Sequence, residues 1–88
     1  MDFERVRDVL LSLDRHIKTR IERHGDDAYA GPHEALGHAT EEYHELIEAV
    51  HDNDRAAVKA ELIDLAVACV IGVASLYEKP ERRVQDGG

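Results

Sequence analysis

The sequence predicts an all-α fold: an antiparallel helical bundle of three main helices per chain, completed by oligomerisation. Three observations predict it. Apolar residues recur every three or four positions over three long stretches, the period of an amphipathic helix. Glycine, proline, asparagine and aspartate gather between those stretches. The last stretch, from Leu62 to Leu76, is apolar on nearly every face, and two other helices of an 88-residue chain can hardly cover it.

The first helix is expected over about Asp2 to His24. Phe3, Val6, Leu10, Leu13, Ile17 and Ile21 form its apolar stripe, with Arg5, Arg7, Arg15, Lys18, Arg20 and Arg23 mostly off it. Gly25 suits a C-cap. Residues 25–33 hold two glycines, a proline and two aspartates and read as a loop; its length suggests a functional one. The second helix is expected over about Glu34 to His51, with Leu36, Ala39, Tyr43, Leu46, Ile47 and Val50 as its stripe. Asp52-Asn53-Asp54 is a turn, and either Asn53 or Asp54 can N-cap the third helix. That helix is expected from Arg55 to about Glu78, stopped by Pro80. The result is a single domain over residues 1–80 and a disordered polar tail over 81–88.

Composition narrows the function. The formal charge is −8, from 19 acids against 11 bases, so the surface repels nucleic-acid backbones and anionic membranes. No polymeric nucleic acid is expected as partner. The lone Cys69 cannot form an internal disulfide and reads as a small buried hydrophobe. Asp2, Glu4 and Asp8 interrupt the apolar run that a secretory signal would need, and the Leu62–Leu76 stretch is short for a membrane span and carries Asp64. A soluble, cytoplasmic protein is expected. A chain of this size buries only about 60% of its unfolded surface, which again favours a homo-dimer or tetramer.

The chemistry-bearing residues are acids on helices. Glu45 lies one turn from both Glu41 and Glu42, and Glu61 lies one turn from Asp64. If the second and third helices are antiparallel neighbours, the two sets meet. Clustered carboxylates repel one another, and a hard divalent cation, Mg²⁺ with Mn²⁺ as the alternative, would relieve that repulsion through oxygen ligands. The plainer reading is a solvated acidic face; Asp64, set among Leu62, Ile63, Leu65 and Ala66, fits it poorly. Glu61, Asp64, Ala68, Gly72 and Ser75 share one stripe of the third helix. Its small side chains leave room for a nucleoside or allow close helix packing, and the spacing does not choose between them.

Residues 41–45, Glu-Glu-Tyr-His-Glu, with Glu61-Leu-Ile-Asp64 fifteen residues later, resemble the E-E-x-x-E … E-x-x-D signature of the all-α nucleoside triphosphate pyrophosphohydrolases, the MazG-like superfamily. The resemblance covers about residues 34–78. It implies cleavage of the α–β phosphoanhydride of (d)NTPs to the monophosphate and pyrophosphate, with Mg²⁺ held by Glu42, Glu45, Glu61 and Asp64. Glu41 would be a further ligand or would orient the attacking water. It also implies a dimer or tetramer. The sequence departs from the family in having no tryptophan, and in having no further helix with Lys, Asn or Arg for the phosphates; Lys79, Arg82 and Arg83 are the substitutes on offer.

Three more residues are candidates for substrate contact. His38, one turn before Glu41 and Glu42, is placed to meet a base or phosphate, against the plainer reading of a surface histidine. Arg20, with Arg23 and Lys18, could reach a triphosphate, although bases ending a helix also simply favour its dipole. Tyr29 is the loop's aromatic and a candidate for stacking on a base. Glu41-x-x-His44 and Glu48-x-x-His51 each match a di-iron motif, but such bundles need the motif on two helices and here both share one. A non-catalytic helical module that binds nucleotide or partner remains the alternative from another class.

Overall fold

The computed structural model describes the backbone of residues 1–25 and 28–87, and the side chains within that span other than those of His24 and residues 78–87. Three helices make up the fold: α1 (Phe3–His24), α2 (Pro32–His51) and α3 (Arg55–Gly87). No strand occurs among the described residues.

Each helix end has a local cause. The Asp2 carboxylate accepts from the Arg5 N–H at 2.8 Å and caps α1, whose other end stops at Gly25 with φ 78°, a left-handed geometry that glycine adopts without strain. Pro32 opens α2 two residues earlier than its apolar stripe suggests, because a first-turn proline needs no N–H partner. The α2–α3 link is the most fully determined. Asn53 takes φ 55°, its N–H donates to the Val50 carbonyl (3.1 Å), and the Asp54 N–H donates to the Ala49 carbonyl (3.2 Å). That pair of bonds is a Schellman ending, with asparagine where glycine usually sits. Asp54 then caps α3, its Oδ1 accepting from the Ala57 N–H at 3.0 Å.

α3 is the common partner. α2 packs closely along it and α1 more sparsely, while α1 and α2 make no close backbone approach among the described residues. Ala35 lies against Gly72, and Glu45 lies beside Glu61. The buried stripe of α3 is Val67, Ala68, Gly72 and Ser75. Its small-residue stretch is occupied: a Cβ on Gly72 would stand 3.4 Å from the Ala35 Cβ and 3.9 Å from the Tyr29 ring. Of the two readings of that stripe, close packing is the one realised.

Tyr29 pins the loop to this surface. It is buried, its N–H donates to Ser75 Oγ at 2.9 Å, and the Ser75 hydroxyl donates to the Ile71 carbonyl at 2.7 Å. The Tyr29 hydroxyl accepts from the Arg20 guanidinium at 3.2 Å, tying the end of α1 to the loop. The ring stacks on His38 with centroids 4.5 Å apart.

Two sequence expectations are corrected. Helix α3 does not stop before Pro80 but continues to Gly87. An interior proline costs about 3 kcal/mol, since the Leu76 carbonyl loses its N–H partner, but it need not end a helix that Glu81, Arg82, Arg83 and Gln85 favour. Gly88 and the aspartates of the loop, Asp26 and Asp27, lie outside the described residues. Cys69 is exposed, not buried, because it points off the α3 stripe that α2 covers.

The single chain covers its apolar residues poorly. Among the described residues no large side chain is fully buried, and Leu10, Leu11, Leu62, Val73 and Tyr77 are each at least half exposed. The accessible surface is 7066 Å², against about 5,200 Å² expected of a folded monomer of this mass.

The Ser75 anchor can be tested. Ser75→Ala strands the buried Tyr29 N–H, which costs about 1–3 kcal/mol. Thermal unfolding followed by circular dichroism should show a Tm lower by roughly 4–8 °C per kcal/mol lost. An unchanged Tm would mean that the loop is held by other contacts.

Candidate functional site

The acids that meet are Glu42 and Glu45 on α2 and Glu61 on α3. Their carboxylate oxygens lie within 4.8 Å of one another. Local geometry explains why. Residues 42 and 45 are one helical turn apart, so their side chains share a face. Glu45 precedes Asn53 by eight residues and Glu61 lies eight residues beyond it, so the two stand equally far from the turn, about 12 Å along each helix.

The electrostatics are those of crowded carboxylates. Glu42 and Glu61 are half-buried and Glu45 is exposed. One oxygen of each half-buried acid, Glu42 Oε2 and Glu61 Oε2, is out of solvent with no hydrogen-bond partner. Burial, reinforced by the charges of Glu45, Asp64 and Glu61, pushes the Glu42 carboxyl up to about 7. The Glu61 carboxyl is likewise held above the ordinary range, by burial first and then by its contact with Glu45, with Asp64 and Glu48 adding repulsion. Glu48, one turn beyond Glu45, is an acid of this surface that the motif spacing does not single out.

The other candidates divide. Asp64 is exposed and stands outside the trio, although its charge acts on both Glu42 and Glu61. Glu41 is exposed and also outside it. Arg20, Tyr29 and His38 are brought together, one behind the other. One face of the Tyr29 ring is against His38 and its edge is near Gly72, so the ring serves the fold and has little surface left for a base. Burial raises the Tyr29 hydroxyl above its ordinary pKa, opposed by Arg20; Glu34 and Glu42 are the next charges that it feels. Tyr29 therefore stands between the basic end of α1 and the acids of α2. The side chains of Lys79, Arg82 and Arg83 lie outside the described residues.

The donor set is chemically uniform. Three carboxylates offer oxygen only, which suits a hard cation. Mg²⁺ with ligands at about 2.1 Å holds its oxygens up to about 4.2 Å apart. The trio's oxygens, within 4.8 Å of one another, stand close to that span.

The raised Glu42 pKa has a consequence for stability. Between about pH 4.5, its unfolded value, and about 7, the folded chain binds more protons than the unfolded one, so stability falls as pH rises through that window. In EDTA, moving from pH 8 to pH 5 should therefore raise Tm. Glu42→Gln, neutral throughout, should be more stable than the parent at pH 8 and show a flatter profile. Comparing the two melting profiles isolates this group from the six histidines. Parallel profiles would count against a carboxyl titrating near neutrality.

No family model matches the chain, and neither does any curated protein or solved structure; its likeness to the MazG-like enzymes rests on the two acidic motifs alone.

Proposed function

We propose that this chain is a Mg²⁺-dependent nucleoside triphosphate pyrophosphohydrolase that cleaves (d)NTPs between the α and β phosphates. The observation that carries the proposal is the convergence of Glu42, Glu45 and Glu61 from two helices, with two of their oxygens buried and unpartnered. Such an arrangement is costly alone and becomes favourable around a cation.

In this reading Glu42, Glu45 and Glu61 would hold the ion, with Asp64, one turn along α3 from Glu61, as a further ligand. Mg²⁺ bound there would neutralise polyphosphate charge and lower the pKa of a bound water. Glu41, on the solvent side of α2, orients the attacking water or adds a ligand. Little more is asked of the protein than positioning, because phosphoryl transfer needs charge stabilisation above all. Manganese is the alternative ion, having similar oxygen preferences.

A second copy of the chain belongs to the same reading. An antiparallel α2–α3 pair leaves apolar side chains bare on α3 and on the first half of α1, where Phe3, Val9, Leu10 and Leu11 are exposed.

Purified protein incubated with the eight common (d)NTPs and Mg²⁺ should release pyrophosphate from at least one. Glu61→Gln and Asp64→Asn should each lower the rate by about a hundredfold or more, since loss of a ligand removes several kcal/mol of charge stabilisation. Helical content should be unchanged, and millimolar Mg²⁺ should raise the Tm of the parent but not of Glu61→Gln. Nucleotide binding without turnover would favour a non-catalytic module instead.

The oligomer is tested separately. Sedimentation should report a dimer or larger, and Leu10→Glu should shift it toward monomer. A monomeric parent would remove the second copy from this reading.

A further inference from the structure

The bases of α1 are not scattered. Arg15, Thr19 and Arg23 recur every fourth residue, and His16 and Arg20 run beside them, so all five share one helix face. They line a shallow, open groove of about 560 Å³ on the exposed side of α1.

Among the described residues the charges in this groove form no ion pair. Lys18, off this face, pairs with Asp14 at 3.0 Å. Among the described residues none of the three groove arginines forms an ion pair, and the one side-chain hydrogen bond they make is from Arg20 to the Tyr29 hydroxyl. The helix dipole favours cations near the end of α1, which accounts for Arg23 and Arg20. It does not account for Arg15, more than two turns before His24, because the dipole acts only over the last turn. In a chain of net charge −8, three guanidiniums on one face of α1, none in an ion pair among the described residues, form a local field of the opposite sign.

We propose that this groove is a phosphate-binding subsite that takes the polyphosphate end of the nucleotide, and this rests on the hydrolase reading above. Guanidinium groups bind phosphate oxygens through two parallel N–H bonds, and the Thr19 hydroxyl can add a third donor. His16 donates from Nδ1 to the Ser12 carbonyl at 2.8 Å, which holds its ring against the helix at the groove wall. Tyr29 joins the groove to the acids: its hydroxyl accepts from Arg20, and Arg20 and Glu42 both act on it electrostatically. Cation ligands and anion ligands thus occupy two sides of one tyrosine. The first helix supplies the positive charge for the phosphates.

The test is calorimetric binding of inorganic tripolyphosphate to the full chain in EDTA, so that no cation takes part. The parent should bind it, with affinity falling steeply with salt. Arg15→Ala and Arg23→Ala should each weaken binding about tenfold, the loss expected for one charge-assisted contact. Arg15→Lys and Arg23→Lys should recover part of it. Arg20 is left intact because it supports Tyr29. Glu61→Gln should bind tripolyphosphate at least as well as the parent, since it removes negative charge while the groove is untouched. An uncharged nucleoside should compete poorly and a nucleoside triphosphate well, which separates phosphate recognition from base recognition. Metal-free binding lost in the arginine variants, in a protein that hydrolyses nothing, would support the groove while sinking the hydrolase reading. Hydrolysis with an unchanged KM in the arginine variants, and no metal-free tripolyphosphate binding, would overturn the groove and leave the hydrolase reading standing.

Discussion

The three-residue turn between α2 and α3 is the constraint on which the rest depends. Asn53 in the left-handed region and the two reverse hydrogen bonds to Ala49 and Val50 end α2 at a fixed residue, and Asp54 starts α3 with no slack. With both ends fixed, the register of the helix pair is fixed as well. Glu45 falls beside Glu61, and, two to three turns farther out, Ala35 falls against Gly72. One inserted residue would rotate α3 by about 100°, moving Glu61 off the shared face and turning Val67 and Ala68 away from α2. The acidic trio and the tightest packing are therefore set by the same few backbone bonds.

Much of this is legible in the sequence because it is local. The helical stripes, the cap residues and the spacing of Glu42, Glu45 and Glu61 come from periods of three and four that need no tertiary information. The illegible part is either energetic or long-range. Proline reads as a stop signal because it is usually one, yet its cost is finite and the residues after Pro80 favour helix. Asp64 reads as buried because its sequence neighbours are apolar. On a helix, however, each neighbour is turned by about 100°, and Leu62 itself is half exposed. Cys69 misleads for the same reason. The small-residue stripe is ambiguous without its contacts: Tyr29, from a loop some forty residues earlier, fills it. The basic groove is visible in part, as Arg20 and Arg23; the overlooked signal is the four-residue repeat that adds Arg15 and Thr19.

Tyr29 has an uncommon position in this small chain. It touches all three helices: Arg20 of α1, His38 of α2, and Gly72 and Ser75 of α3. With so few residues well buried, a single side chain of that kind carries much of the tertiary order. Its contacts also make the loop a mechanical link between the basic and the acidic surfaces, so a shift of α1 relative to α2 would be felt at both.

The carboxylate trio sets a competition between a proton and a cation. With no cation, the cheapest relief of repulsion is protonation, and burial beside the other acids pushes the Glu42 carboxyl up to about 7, with Glu61 raised as well. A cation bound by the proposed ligands would have to displace that proton. Apparent metal affinity would therefore weaken as pH falls below about 7, while the metal-free fold grows more stable over the same range. The two effects have one origin. An acid half-buried beside two others destabilises the folded chain unless something positive joins it, and the same instability provides the driving force for binding. Replacing Glu42 by a neutral residue would gain stability at neutral pH and remove one of the proposed cation ligands.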